Sequence, residues 1–287
     1  MRVGVLGAGA WGTTLAISSA KAGNDVTLWS YDGQYSSFDD VEMPDSIKVT
    51  NSMADLTSMD TWLIVTPSAF FRETLINSRP FYKGQPVIVC TKGIEATTHK
   101  FMSEIMDEEL PKCRDYGVLS GPQFAKEVAA GILTGSTLAG TAKAIEVGTA
   151  ALKDLYLEAS SDVIGVEICG VGKNAVALVT GFASISVKGE NKRALIFTLA
   201  WNEVVKFGLA SGAKIETFLG LCGLGDLYLS ATSKTSRNYS AGIAIAKHEP
   251  IVGTVEGIAA LNGLVHRGTL KKIDMPVLSD MREKANS

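Results

Sequence analysis

Histidine is scarce in this chain: only His99, His248 and His266 occur, each in ordinary helix-like or loop sequence. That scarcity counts against a histidine as the proton carrier of any reaction performed here, although histidine is the usual first choice. Cysteine is nearly as sparse. Cys90, Cys113, Cys169 and Cys222 lie far apart and form no CxxC pair. Neither a disulfide framework nor a metal-ligand spacing is indicated, and isolated thiols of this kind suit a reducing cytoplasm. An excess of basic charge is also missing. Lys and Arg number 27 against 30 Asp and Glu, a net charge of −3, so no field for nucleic acid or anionic lipid is present. No apolar run reaches the ~18 residues of a membrane span, so the chain reads as soluble. Internal repeats, low-complexity tracts and flexible linkers are absent.

The chain has 287 residues, enough for one large or two medium domains. Its opening carries the strongest signal. Arg2–Leu6 is a short apolar run, followed at once by Gly7-Ala8-Gly9-Ala10-Trp11-Gly12, a helical stretch ending at Gly23, and a second strand at Asp25–Trp29. In a dinucleotide-binding turn, Gly7 permits the sharp bend, Gly9 lets backbone approach a pyrophosphate, and Gly12 lets helix and strand pack closely. Amides at the helix start, together with the helix dipole, then favour the phosphates. Met1–Gly23 also has the composition of a secretory signal peptide, but such a peptide needs no glycines at this spacing.

Up to about Ile168 the pattern alternates strand and helix. Strand-like runs occur at 47–50, 61–66 and 86–91, with weaker ones at 117–120, 136–140 and 162–167. Continuous apolar strands between helices predict a mostly parallel sheet covered on both faces, with ligands collecting at the strands' carboxyl ends. After Cys169 the runs 171–188, 192–212, 240–248 and 255–266 read as helices. The predicted architecture is α/β: a Rossmann-type domain over residues 1–168 and an all-helical domain over 169–287, with a cleft between them.

Four further clusters carry chemistry. Thr91-Lys92-Gly93 and Ser120-Gly121-Pro122-Gln123-Phe124-Ala125 each follow a strand, Gly170-Val171-Gly172-Lys173-Asn174 opens the helical half, and Gly223-Leu224-Gly225-Asp226 with Ser236-Arg237-Asn238 reads as a glycine-rich loop. Singly, each has a plain structural reading: a solvated lysine, an Asx turn, a helix N-cap. Lys92 and Lys173 stand out because both interrupt small, apolar surroundings, where an ammonium is costly to bury.

Taken together, GAGAWGT, TPSAFFRE, TKGIE, SGPQFAKEVAAG, DVIGVEICGVGKN, GLCGLGDL, SRN and TVEG occur in the order found in NAD(P)-dependent glycerol-3-phosphate dehydrogenases. The chain resembles the bacterial members of that family from residue 1 to about residue 266. The resemblance implies NAD or NADP as cofactor and reversible hydride transfer between dihydroxyacetone phosphate and sn-glycerol 3-phosphate, supplying the latter for phospholipid synthesis. It also implies site roles. Lys173 is similar to the general acid/base, with Lys92 and Asp226 beside it, and Lys92 also near the cofactor. Gly121, Gln123, Asn174 and Ser230 resemble substrate contacts, and Ser236, Arg237 and Asn238 the phosphate group, with Arg237 also reaching the cofactor. Gly7, Gly9, Ala10, Trp11, Gly12, Ser30, Phe70, Ala125 and Glu256 fall where the family touches the cofactor; Phe70 equally suits a core position.

Hydride reduction of a ketone leaves negative charge on oxygen, which needs a proton and electrostatic support. Lys173 would supply the first and Lys92 the second, with Asp226 orienting Lys173. Two features depart from the family pattern. Ser30-Tyr31-Asp32 follows the second strand where relatives often carry an arginine, which leans the cofactor towards NAD(H). The stretch 33–45 is short and reads as a loop lacking a helix, and 181–188 is also altered. Two other functions compete: a non-catalytic nucleotide sensor or scaffold, and a related dehydrogenase for another small phosphorylated hydroxy compound. Phe197, Leu199, Trp201 and Val204 are either a homodimer face or core.

Overall fold

The apolar runs of the first half become the strands of one sheet in a computed structural model that describes residues 1–38, 41–251, 253 and 255–287. In chain order they are β1 (Arg2–Leu6), α1 (Ala10–Lys21), β2 (Asp25–Trp29), β3 (Lys48–Thr50), β4 (Thr61–Ile64), α2 (Ser68–Ser78), β5 (Val87–Val89), α3 (Met102–Glu109), β6 (Tyr116–Ser120), α4 (Ala125–Ala129), β7 (Gly135–Gly140), α5 (Ala142–Ala151) and β8 (Tyr156–Ser160). The eight strands lie in the order β3-β2-β1-β4-β5-β6-β7-β8. Every pairing is parallel except β6 with β7, as the mostly parallel prediction requires. The inner strands are apolar throughout because helices cover both faces: Val3, Val5, Leu28, Leu63 and Ile88 are fully buried. Strand order reverses at β1, between β2 and β4, and opens a crevice at the carboxyl ends of β1 and β4.

Two glycines close the turn into α1. Gly7 sits at φ +113°, which only glycine adopts without strain, and donates its N–H to the Trp29 carbonyl at 3.0 Å. A Cβ on Gly12 would lie 1.8 Å from the Gly7 carbonyl oxygen, so helix and strand meet backbone to backbone.

The segment 162–167, expected as a strand, is instead the start of a helix; the last strand is the more exposed Tyr156–Ser160. The β-branched Val163, Ile164 and Val166 imitate a strand locally, and burial of one long helix overrides them. The stretch 33–45 carries no helix among its described residues and has a single bridge, Phe38 to Val41, while Asp39 and Asp40 lie outside the described residues.

Residues Met1–Lys92 and Met102–Val163 form the first unit; Gly93–Phe101 and Ile164–Ser287 form the second. The second is helical: α6 (Val163–Ser186), α7 (Glu190–Ala210), α8 (Ile215–Leu219), α9 (Asp226–Thr232), α10 (Arg237–Lys247), α11 (Glu256–Leu270) and α12 (Pro276–Asn286). Helix α6 is its axis. By length and composition α6 could cross a membrane, an apolar run longer than the sequence reading allowed, but 78% of its apolar window is buried within the protein. It packs on α10 at backbone distance: a Cβ on Gly181 would sit 1.9 Å from the Tyr239 carbonyl, and one on Gly242 would sit 2.1 Å from the Leu178 carbonyl. Of the four apolar residues noted on α7, Trp201 and Val204 are buried and Leu199 is exposed. Glu203 is buried on the same helix and accepts the N–H groups of Val277 and Leu278, which tethers the start of α12.

Residues Gly93–Phe101 join this unit through Arg267, which donates to the His99 carbonyl at 3.0 Å and lies 4.4 Å over the Phe101 ring. The His99 and His266 rings are 4.6 Å apart. Burial first, then the charges of His266 and Arg267, hold the His99 imidazole below its ordinary value. The folded state therefore resists the proton that the unfolded chain accepts near pH ~6.5. Stability from this group is fully present above that value and is lost as pH falls towards the lowered folded value. The unfolding midpoint is expected to drop between about pH 7 and pH 5 by thermal melts. His99→Asn, which tolerates the positive φ of 57° at this position, should flatten that slope. Identical slopes in both proteins would contradict the assignment.

Candidate functional site

In the first unit the loop between β1 and α1 forms the floor of a cavity of about 730 Å³. Gly7, Ala8 and Gly9 line it, with Ser30, Tyr31 and Asp32 beyond β2 and Thr66, Pro67 and Phe70 beyond β4. A wall is added where Ser36 donates its N–H to the Ala8 carbonyl at 2.9 Å and draws the segment after β2 over the glycines. A Cβ on Gly9 would meet nothing within 4 Å, so the backbone there faces open space. The first turn of α1 has no acidic residue, leaving its amides and dipole available to an anion. The floor, the volume and the bare amides fit a dinucleotide.

Of the residues expected at the cofactor, Gly7, Gly9, Ser30 and Phe70 line this cavity. Phe70 is 58% exposed, so the alternative of a core aromatic does not hold. Gly12 acts through packing against Gly7, as described above. Trp11 packs on the hydrophobic core and Ala10 is exposed at the helix start; neither lines the cavity. The Ala125 carbonyl accepts a hydrogen bond from Thr14 at 3.0 Å, which ties α4 to α1.

The carboxyl edge of the same sheet has unmet polar groups. Among the described residues, Thr66 Oγ1, Ser120 Oγ, Ser136 Oγ and both side-chain amide atoms of Gln123 are buried without a hydrogen-bond partner. Thr66 follows β4, Ser120 ends β6, and Ser136 lies near the start of the antiparallel β7, so all three belong to one edge. Each such group costs about 1–3 kcal/mol when left unmet, so a cluster of them marks a place for a polar ligand. Thr66 and Ser136 have no site role in the sequence reading, and Ser120 enters it only as the first residue of the Ser120–Ala125 cluster; hydroxyls at strand ends look ordinary there. Lys92, three residues beyond the end of β5, donates its Nζ to the Gly121 carbonyl at 2.8 Å. Gly121 has no room for a side chain, since a Cβ would lie 2.7 Å from the Gly135 carbonyl.

In the second unit Lys173 does not open a helix but sits in the middle of α6. Its Nζ donates to Asp226 Oδ1 and to Ser230 Oγ, both at 2.9 Å. Only 13% of the Lys173 side chain and 1% of Asp226 are exposed. Asp226 and Ser230 are one turn apart on α9 and so present their oxygens to the same amine. The glycine-rich stretch before them is not the expected loop. Leu221–Gly225 winds as a wide helical turn closed by Gly225 N–H to the Gly220 carbonyl at 3.2 Å, and it delivers Asp226 as the first residue of α9. Gly223 permits this turn, because a Cβ there would lie 2.3 Å from the Phe218 carbonyl.

Asn174, the next residue on α6, belongs to a second network. Asn238 donates to Asn174 Oδ1 at 2.8 Å and accepts the Gly257 N–H at 2.9 Å, while Asn174 donates to Glu256 at 3.4 Å. Three helices, α6, α10 and α11, are thereby pinned at one point. Asn238 retains one N–H for a ligand, and its other groups are structural. Ser236 is buried as the N-cap of α10, accepting the Tyr239 N–H. Arg237 follows as the exposed first residue of α10. Thr254 of the TVEG motif lies outside the described residues.

Comparison with known proteins agrees across both units. Residues 2–146 match the family model described as the NAD-dependent glycerol-3-phosphate dehydrogenase N-terminus, and residues 162–283 match the corresponding C-terminus. A glycerol-3-phosphate dehydrogenase [NAD(P)+] of Afipia carboxidovorans is 37% identical over 293 residues, covering 96% of this chain and 89% of that protein. One from a Bradyrhizobium species is 37% identical over 294 residues with the same coverage. The crystal structure of glycerol-3-phosphate dehydrogenase from Coxiella burnetii superposes with a TM-score of 0.90 at 29% identity, over 98% of this chain and 93% of that one. With a glycine-floored cavity on one unit, a buried lysine–aspartate pair on the other, and relatives of this identity along nearly its whole length, the chain belongs to the NAD-dependent glycerol-3-phosphate dehydrogenase family.

Proposed function

We propose that this chain interconverts dihydroxyacetone phosphate and sn-glycerol 3-phosphate in the cytoplasm, providing the latter for phospholipid synthesis, with Lys173 as the proton-transferring group. The observation that carries the reading is the Lys173 amine held at 2.9 Å by both Asp226 and Ser230 in the middle of a largely buried helix. A buried ion pair of this kind is a poor stabiliser compared with apolar packing, so its presence calls for a use.

Residues 1–168 take the cofactor, which supplies or accepts the hydride when bound, and residues 169–287 supply the proton carrier and the phosphate contacts. Gly7 and Gly9 leave the backbone bare for the pyrophosphate, and the α1 amides face its charge. Lys173 gives its proton to the ketone oxygen as that oxygen becomes an alkoxide, and takes it back in the oxidative direction. Asp226 and Ser230 fix the direction of the amine, so that proton transfer needs little reorganisation. Lys92, already oriented by the Gly121 carbonyl, supplies positive charge to the developing oxyanion. Gln123, with both amide atoms unmet, supplies hydrogen bonds to the substrate. Arg237 offers a planar fork to the phosphate and Asn238 its remaining N–H.

Absorbance at the nicotinamide band tests the whole reading. Purified protein should consume NADH or NADPH on addition of dihydroxyacetone phosphate and regenerate it with sn-glycerol 3-phosphate. Cofactor binding without turnover on either substrate would favour the sensor function instead.

A further inference from the structure

Lys92 is held on both sides, and the downstream hold comes from residues far away in sequence. Just before it, Thr91 Oγ1 donates to the Thr66 carbonyl at 2.7 Å and ties the chain beyond β5 to the chain beyond β4. At its tip, Nζ donates to the Gly121 carbonyl at 2.8 Å. Just after it the chain changes unit. Lys92 closes a stretch of the first unit, and its neighbour Gly93 opens the stretch Gly93–Phe101, which belongs to the second. Gly93 sits at φ +151°, a conformation that glycine takes at little cost.

That stretch is a closed turn clasped onto α11. Ile94 and Phe101 bridge its ends, Glu95 donates its N–H to the Lys100 carbonyl at 2.9 Å, and His99 donates its N–H to the Glu95 carbonyl at 2.8 Å. Ile94 and Phe101 are both buried. Ile94 packs so close to α11 that a Cβ on Gly263 would stand 2.6 Å from its Cδ1. One turn along α11, Arg267 donates to the His99 carbonyl at 3.0 Å and lays its guanidinium 4.4 Å over the Phe101 ring. A charged donor on a carbonyl and a cation over a ring are each stronger than a neutral contact.

We infer that Arg267 is a positioning residue for the reaction. By clasping residues 93–101 to α11 it fixes the backbone beside Lys92, and with it the point at which the Lys92 ammonium meets the developing oxyanion. This rests on the dehydrogenase reading above, in which Lys92 supports that charge. Such support acts fully only when the donor is in place before the charge appears. A misplacement of about 1 Å at the reacting centre costs on the order of 10²-fold in rate. Arg267 does not line the cofactor cavity, and its effect passes through Lys92.

Steady-state kinetics on Arg267→Met, Lys92→Ala and the double variant test the link. Methionine keeps an apolar stem over Phe101 while giving up the charge and the donor, so the packing is retained. Arg267→Met should lower kcat for dihydroxyacetone phosphate reduction by about tenfold and leave KM and NADH affinity within about twofold, the pattern of an interaction made only in the transition state. Arg267→Lys restores a cation and one donor, and should recover most of the loss. Lys92→Ala should lower kcat by about 10²-fold or more, and on that background Arg267→Met should cost nothing further. Should Arg267→Met melt below the assay temperature, Gly263→Ala, which pushes on Ile94 at the other end of the clasp, gives the same comparison. An unchanged kcat in Arg267→Met, or losses that simply multiply in the double variant, would overturn the assignment while leaving the dehydrogenase reading intact. Normal turnover in Lys92→Ala would overturn the assignment together with the role of Lys92 on which it rests.

Discussion

Lys173→Ala is expected to lower the rate of dihydroxyacetone phosphate reduction by about 10²–10⁴-fold, the range that a positioned proton carrier contributes. Cofactor affinity should be nearly unchanged, because the glycine-floored cavity belongs wholly to residues of the first unit. The substitution also strands the nearly fully buried Asp226 without its cation, so some loss of stability is expected alongside. Thermal melts separate the two effects. A variant that is folded at the assay temperature, binds NADH normally and turns over slowly matches the account. Asp226→Asn supplies the complementary case: it retains a hydrogen-bond acceptor for Lys173 but removes the opposing charge, so its pH profile should shift while Lys173→Ala shows none. A Lys173→Ala enzyme with near-normal turnover would remove the amine from the chemistry.

Arg237→Ala is expected to raise the KM for phosphorylated substrates by about 10²-fold, corresponding to the loss of roughly 3 kcal/mol from a bidentate, charge-assisted contact. Turnover should fall as well, because grip on the remote phosphate is what holds the carbonyl in place. Turnover of unphosphorylated dihydroxyacetone should be affected little. Arg237→Lys should recover only part of the loss, since a point charge cannot form the planar two-point contact. Steady-state kinetics on both substrates distinguish the possibilities. Equal losses for phosphorylated and unphosphorylated substrates would mean that Arg237 acts through structure, for instance at the start of α10.

The first unit was legible because its signals are local. Gly7, Gly9 and Gly12 stand between an apolar strand and a helix, and each glycine has a steric reason visible over a handful of residues. Strands such as Thr61–Ile64 and Val87–Val89 announce themselves as apolar on both faces. The second unit was less legible because its decisive contacts are distant in sequence. Nothing in the pattern around Lys173 specifies Asp226 and Ser230 as its partners; their roles were implied by resemblance, and the hydrogen bonds emerged only in the folded chain. Gly223 and Gly225 pointed to a loop because glycine disfavours helix, yet here they sit in the wide turn that sets Asp226 at a helix start. Helix α12 escaped notice for a related reason: few apolar residues mark it, and its start is tethered by Glu203, far away on α7. The amide network of Asn174, Asn238 and Gly257 likewise has no local signature.

The most direct measurement of the central claim is a crystal structure of the dead-end complex with NAD⁺ and dihydroxyacetone phosphate, which cannot react. The account predicts Lys173 Nζ within about 2.6–3.2 Å of the ketone oxygen while still held by Asp226. A substrate bound elsewhere, with Lys173 still sealed against Asp226 and Ser230, would contradict it.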